Sequence, residues 1–153
     1  MKLKVLWVGK TQEAWVKSGI DEYAGRIRRY APLDIAEAKE EKGADAVAGR
    51  VVEGARLEKL LGKNSRLVLL DERGDEMDSR QFAGFIGRER DIGTQELVFA
   101  IGGAYGFADD FRRRAHKTIA LSQLTFTHQM VRVFLLEQLY RAYTILNGEP
   151  YHH

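Results

Sequence analysis

The chain has 153 residues, 44% of them hydrophobic and 30% charged, with two prolines, no cysteine and a formal net charge of +2. That length and composition fit one soluble globular domain over residues 1–153 that buries about two-thirds of the surface of its unfolded chain, and they exclude a disordered or fibrous protein. The lack of cysteine excludes disulfides, thiolate catalysis and Cys-ligated metals, and no apolar run reaches the roughly 20 residues needed to cross a bilayer, so a reducing, cytoplasmic setting with no membrane partner is expected.

The N-terminus, Met1 to Leu6, alternates like a strand and lacks the apolar block of a signal peptide, and the first strand is expected over 3–8. Trp15, Ile20, Tyr23, Ile27 and Tyr30 follow at helical spacing, then a strand over 33–38, then a second helical stripe of Val47, Val51, Ala55 and Leu60. A third strand is expected over 66–70, and an Asp78-Ser79 cap opens a helix whose stripe is Phe82, Phe85 and Ile86. Strands over 97–101 and 118–121 flank a short helix from Asp109 or Asp110. The last helix presents Met130, Val131, Phe134, Leu135, Leu139, Ala142 and Leu146, with Gly148 where a left-handed cap belongs. Five strands alternating with five helices predict an α/β fold, a mostly parallel sheet covered on both faces, with ligands beyond the carboxyl ends of its strands.

Polar chemistry is concentrated late in the chain. Gly9-Lys10-Thr11 follows the first strand but lacks the earlier glycine of a phosphate loop, and Gly102, Gly103 and Gly106 are spaced G-G-x-x-G, which is not the dinucleotide fingerprint. Those glycines still suit close approach of backbone to a flat ligand; one tight turn explains one of them better than three. Leu70-Asp71-Glu72-Arg73-Gly74 reads as a strand-to-helix turn with solvated acids, lying on the same sheet rim as the glycine turn. The four histidines lack any metal-ligating spacing. His116 reads as structural or exposed; His128 and Arg132, four apart, share one helix face as a surface pair. The runs Arg26-Arg28-Arg29 and Arg112-Arg113-Arg114 are accounted for by solvated helix faces. A C-terminus of Pro150-Tyr151-His152-His153 is expected to be ordered against the rest of the molecule.

Several blocks together carry a resemblance: Leu70-Asp71-x-x-Gly74, Phe99-x-Ile101-Gly102-Gly103-Ala104-x-Gly106, Leu121-Ser122-x-Leu124-Thr125-x-x-His128-Gln129-x-x-Arg132, Glu137-Gln138-x-Tyr140-Arg141-Ala142 and Pro150-Tyr151-His152. In this order and at nearly full length they resemble the ribosomal RNA large subunit methyltransferase H family of the SPOUT superfamily. The resemblance implies a SPOUT-type α/β domain with a C-terminal trefoil knot. It also implies S-adenosyl-L-methionine as methyl donor, held by Leu70, Gly102, Gly103 and the loop Leu121, Ser122, Gln123, Leu124, Thr125 and Phe126, with no metal. It further implies a cytoplasmic homodimer that methylates N3 of a pseudouridine in helix 69 of 23S ribosomal RNA on the assembled ribosome, and no DNA partner. The residues it points to for catalysis are Tyr151, His152 and His153, with His128 and Arg132. Attack on a sulfonium methyl needs in-line positioning and removal of the N3 proton, for which a histidine is suited, while Arg132 and Arg141 suit a phosphate or a carboxylate. The rival expectations are a tRNA methyltransferase of the same superfamily, an RNA- or ribosome-binding protein without chemistry, and a flavodoxin-like nucleotide-binding regulator.

Overall fold

A computed structural model describes residues 1–43 and 45–153. Its elements are β1 (Lys2–Val8), α1 (Ala14–Ile27), β2 (Leu33–Ala38), α2 (Ala46–Glu58), β3 (Ser65–Glu76), α3 (Ser79–Asp91), β4 (Glu96–Ile101), α4 (Asp109–Arg113), β5 (Lys117–Ala120) and α5 (His128–Leu146). The five strands form one sheet in the order β2-β1-β4-β3-β5, and every pairing is parallel. Successive strand residues face opposite sides, so Leu3, Val5 and Trp7 join the core under α1, α3 and α5, whereas Leu6 and Val8 join the core under α2 and α4.

Three expectations are corrected by the packing. In α1 the buried stripe is Val16, Ile20, Ala24 and Ile27, while Trp15 is 57% exposed. Residues five apart point about 140° away from each other on a helix, so Trp15 does not share a face with Ile20, whereas Val16 does. In α2 the inner face is Gly49, Glu53, Gly54 and Leu57, and Val47 and Val51 face outward. The glycines decide this: a Cβ at Gly54 would stand 3.6 Å from Ala108 and Phe111 of the α4 region, and one at Gly49 would stand 3.5 Å from the Tyr105 ring. Close helix approach there outweighs burial of two valines.

The third correction concerns β3, which does not turn into a helix at Leu70. It continues to Glu76 through an irregularity between Leu70 and Asp75, after which Asp75 and Glu76 pair with Ile119 and Ala120 of β5. Gly74 makes the excursion possible, because a Cβ there would lie 2.7 Å from the backbone of Thr118 and Ile119. The strand is interrupted, not ended.

The helix ends follow their local chemistry. Asp78 caps α3 in a reciprocal box with Gln81, and Thr127 caps α5 by accepting the Met130 N–H. At the other end of α5, Gly148 has φ +67 and Glu149 N–H reaches the Thr144 carbonyl at 2.9 Å, which turns the chain back along the helix.

Candidate functional site

Leu70 of β3 pairs with Ile101 of β4, so the Asp71–Gly74 excursion and the Gly102–Gly106 turn leave the sheet side by side. Between them and the loop after β5 lies a cleft of about 630 Å³. Leu70, Ile101, Phe107, Leu121 and Val131 supply apolar wall, and Gly102, Gly103, Ser122, Leu124, Thr125, Phe126 and His128 also line it. Of the positions expected to hold the cofactor, eight line this one cleft; Gln123 belongs to the same loop but is exposed and outside the lining. Among the turn's glycines only Gly106 has a positive φ, at +77. Gly102 and Gly103 serve close approach instead, since a Cβ at Gly102 would stand 3.3 Å from the Gly106 backbone.

The cleft also holds residues that the sequence reading passed over. Asp71 is not solvated: its side chain is 11% exposed and accepts from Arg112 at 2.6 Å and from the Arg73 N–H at 2.9 Å. Burial alone would raise its pKa, but these donors and the Arg73 guanidinium outweigh it and hold the carboxyl at about 2. The guanidinium of Arg112 lies over the Phe107 ring at 5.7 Å, so the Asp71–Arg112 pair straps the β3 excursion to the segment after the glycine turn. Thr125 donates to Glu72 at 2.8 Å and latches the 121–126 loop to the same excursion. Arg50 and Tyr105 complete the rim. Asp71 sat in a recognised block, whereas Arg50 comes from a helix that carries no motif.

A second cavity, about 590 Å³, shares the wall residues Leu121 and Phe126 with the first and is otherwise lined by α3, β5 and α5 side chains together with His152. The tail reaches it by folding back on α5. Tyr151 donates to Glu137 at 3.0 Å, Arg141 pairs with the same carboxylate at 2.6 Å and covers the Tyr151 ring at 4.8 Å, and Tyr140 meets that ring edge-on at 4.7 Å. Burial, then the neighbouring Tyr23 and the Glu137 carboxylate, push the Tyr151 phenol far above its ordinary pKa. Arg141 also reaches His152 Nδ1 at 3.1 Å. An arginine only donates, so Nδ1 is the acceptor and the proton of the neutral ring sits on Nε2. His153 is exposed.

The structure separates the pair His128 and Arg132. His128 is exposed at the cleft, whereas Arg132 is 1% exposed and does not share a surface face with it. Its guanidinium donates to the Val8 carbonyl and the Thr11 hydroxyl, each at 2.8 Å, and lies 4.8 Å over the Trp7 ring. Burial lowers its pKa to about 10, which leaves it charged at neutral pH. Gln129 acts beside it, accepting the Gln12 N–H and donating to the Lys10 carbonyl, so the start of α5 is tied to the loop after β1. His116 is structural: its Nδ1 accepts the Leu67 N–H and its backbone N–H donates to the Leu67 carbonyl. The arginine run at 112–114 is paired throughout, with Asp71, Asp110 and Glu58.

Fold and cleft together define a parallel-sheet α/β protein with a cleft built from the loops beyond its strand ends, where folds of this class bind their ligands. Comparison with known proteins gives the class its name. A family model described as "Predicted SPOUT methyltransferase" matches residues 1–152, and the chain belongs to that family. It is 71% identical over 153 residues to the ribosomal RNA large subunit methyltransferase H of Geotalea uraniireducens (strain Rf4), with 100% of both chains covered. It is likewise 71% identical to the protein so named from Geobacter metallireducens, covering 100% of this chain and 99% of that one, and 61% identical to the one from Pelobacter propionicus with both covered fully. Among solved structures, a probable methyltransferase from Bordetella pertussis Tohama I superposes with a TM-score of 0.58 at 13% identity, covering 92% of this chain and 95% of that one, a likeness of fold.

Proposed function

We propose that this protein is a 23S ribosomal RNA methyltransferase that transfers a methyl group from S-adenosylmethionine to N3 of a pseudouridine in helix 69, on the assembled ribosome. The observation that carries this reading is the 71% identity to the large subunit methyltransferase H over the full length of both chains. The first cleft fits the donor. Its volume is that of a small-molecule site, its apolar walls suit an adenine ring, and the packed glycines at 102 and 103 expose backbone groups for hydrogen bonding. Leu70, Gly102, Gly103 and the loop 121–126 hold it in this proposal, with Gln123 contributing through the loop's shape only.

Bound there, S-adenosylmethionine would supply an electrophilic methyl carbon for N3, with its sulfur as the leaving group and the N3 proton taken up by a base. The chain's residues divide the remaining work. His152, with its proton on Nε2 and its Nδ1 held by Arg141, serves as a hydrogen-bond donor that orients the base in the second cavity. Tyr151, kept as a neutral phenol, fixes the tail on Glu137. His128 at the cleft and the exposed His153 are the candidates to accept the proton. Arg132 acts from the interior, where it sets the loop after β1 against α5.

The proposal extends to a homodimer in the cytoplasm. Trp15 and Phe134 are 57% and 37% exposed on α1 and α5, two helices that meet where a Cβ at Gly19 would stand 3.1 Å from Val133. Analytical ultracentrifugation of the protein and of Phe134→Glu tests it, with a shift to monomer expected in the variant. No helix among the described residues is long and apolar enough to cross a membrane. We also propose the C-terminal trefoil knot; the insertion of β5 against the Gly74 excursion and the return of α5 to the β1 loop support it, and a traced crystal structure tests it.

The deciding experiment is transfer of labelled methyl to purified ribosomes lacking the modification, with free rRNA and bulk tRNA in parallel and the product nucleoside identified by mass spectrometry. N3-methylpseudouridine on ribosomes is the expected product. Label confined to tRNA overturns the substrate, and an absence of cofactor binding overturns the enzyme.

A further inference from the structure

Glu53 is a buried ionisable group to which the proposed reaction gives no task. It lies on the inner face of α2 with 2% of its surface exposed. One carboxyl oxygen, Oε2, accepts the Glu41 backbone N–H at 3.1 Å; the other, Oε1, is buried without a hydrogen-bond partner among the described residues. A Cβ at Gly103 would stand 3.0 Å from that same Oε1. Gly103 lines the cleft and Glu53 does not, so the carboxyl backs the glycine turn.

The surroundings disfavour the charged form. Burial raises the pKa, the Glu41 N–H opposes that rise, and the carboxylates of Glu40 and Glu41 add to it. Arg56 on the same helix lowers it only through space, because its guanidinium is committed to Glu41 at 2.7 Å and to the Lys39 carbonyl at 3.0 Å. β1 presents Val8 and the turn presents Gly103, neither of them ionisable. An ionised carboxyl here would hold unfilled acceptor lone pairs directly behind a turn rich in backbone N–H groups.

We infer that Glu53 is a positioning residue for the cofactor cleft: as a neutral carboxyl it supports the Gly102–Gly106 turn from behind, and once ionised it draws the turn's amide N–H groups away from the cleft. This rests on the reading of the cleft as the S-adenosylmethionine site. It makes cofactor affinity fall with rising pH through a group that never touches the cofactor.

The test is calorimetric titration of the full chain with S-adenosylmethionine from pH 5.5 to 9, for the wild type, Glu53→Gln, Glu53→Ala and, as a control on the outer side of the same helix, Glu58→Gln. The ligand's own amino group titrates in every variant, so the comparison is between profiles. Wild type and Glu58→Gln are expected to lose at least about threefold more affinity across this range than Glu53→Gln, and Glu53→Ala to bind about fivefold more weakly at pH 5.5, the scale of one lost hydrogen bond. Superimposable profiles for wild type and Glu53→Gln overturn the inference while leaving the cleft assignment intact. A wild type that fails to bind at any pH overturns the cleft assignment itself, and the inference with it.

Discussion

The two cavities share Leu121 and Phe126 yet are built in opposite ways. The first is made largely of backbone at strand ends: an excursion in β3, a glycine turn after β4 and a loop after β5, strapped by Asp71–Arg112 and Thr125–Glu72. The second is made of side chains on finished elements, with the tail fastened by the Glu137, Arg141 and Tyr151 cluster. A backbone-built site depends on what the glycines leave out, and a side-chain-built site depends on which polar groups are paired. The first tolerates added atoms poorly; the second tolerates lost hydrogen bonds poorly.

The largest expected effect breaks the first cavity at its least forgiving point. Gly74→Ala places a methyl 2.7 Å from backbone atoms of Thr118 and Ile119, which lack the freedom of a side-chain end to move aside. Chemical denaturation is expected to show a loss of more than about 3 kcal/mol, since an overpacked backbone contact lies in the severe tail of point substitutions. Cofactor affinity is expected to fall with it, because the 71–74 excursion forms one wall. A stable Gly74→Ala protein that binds normally would mean the wall is not fixed by β5.

Asp71→Asn comes next. It removes the charge that Arg112 and Arg73 share, at a cost of about 2 kcal/mol for hydrogen bonds to a charged group. The pH dependence has a definite sign. The folded carboxyl titrates at about 2, below its unfolded value near 4, so its contribution is present above pH 4 and lost as pH falls through 2. Denaturation curves of the wild type and Asp71→Asn are therefore expected to approach one another as pH falls below 4 and to converge only below about pH 2.

The same contrast explains what was legible in the sequence. Strand periodicity disclosed the parallel sheet, and the motif blocks that carry the family resemblance pointed to eight positions that line the first cleft, because a backbone-built site is encoded by neighbours in sequence. The inner face of α2 was not legible: Val47 and Val51 have the better apolar spacing, and only the proximity of Ala108, Phe111 and Tyr105 to its glycines turns that helix over. Arg132 misled for a related reason. A guanidinium reads as a surface or ligand group, and its burial depends on acceptors at Val8 and Thr11, more than a hundred residues away. The continuation of β3 past Leu70 was hidden because Asp71 to Gly74 carries turn-like residues, and the pairing that rescues it lies on β5.

The smallest effect on stability separates the two cavities most sharply. Tyr151→Phe keeps the ring against Tyr140 and Arg141 and removes only the hydrogen bond to Glu137, so it is expected to cost about 1 kcal/mol or less. Glu137 keeps Arg141, and Arg141 keeps His152. The first cavity touches neither Tyr151 nor Glu137, so S-adenosylmethionine affinity by calorimetry should match the wild type within about twofold, a difference worth only ~0.4 kcal/mol. What should change is turnover on ribosomes, because a tail anchored by one bond fewer holds the His152 donor less firmly. A fall in kcat with cofactor affinity preserved assigns the tail to the substrate. Weakened cofactor binding would instead show that the two cavities act as one, coupled through the wall that Leu121 and Phe126 share.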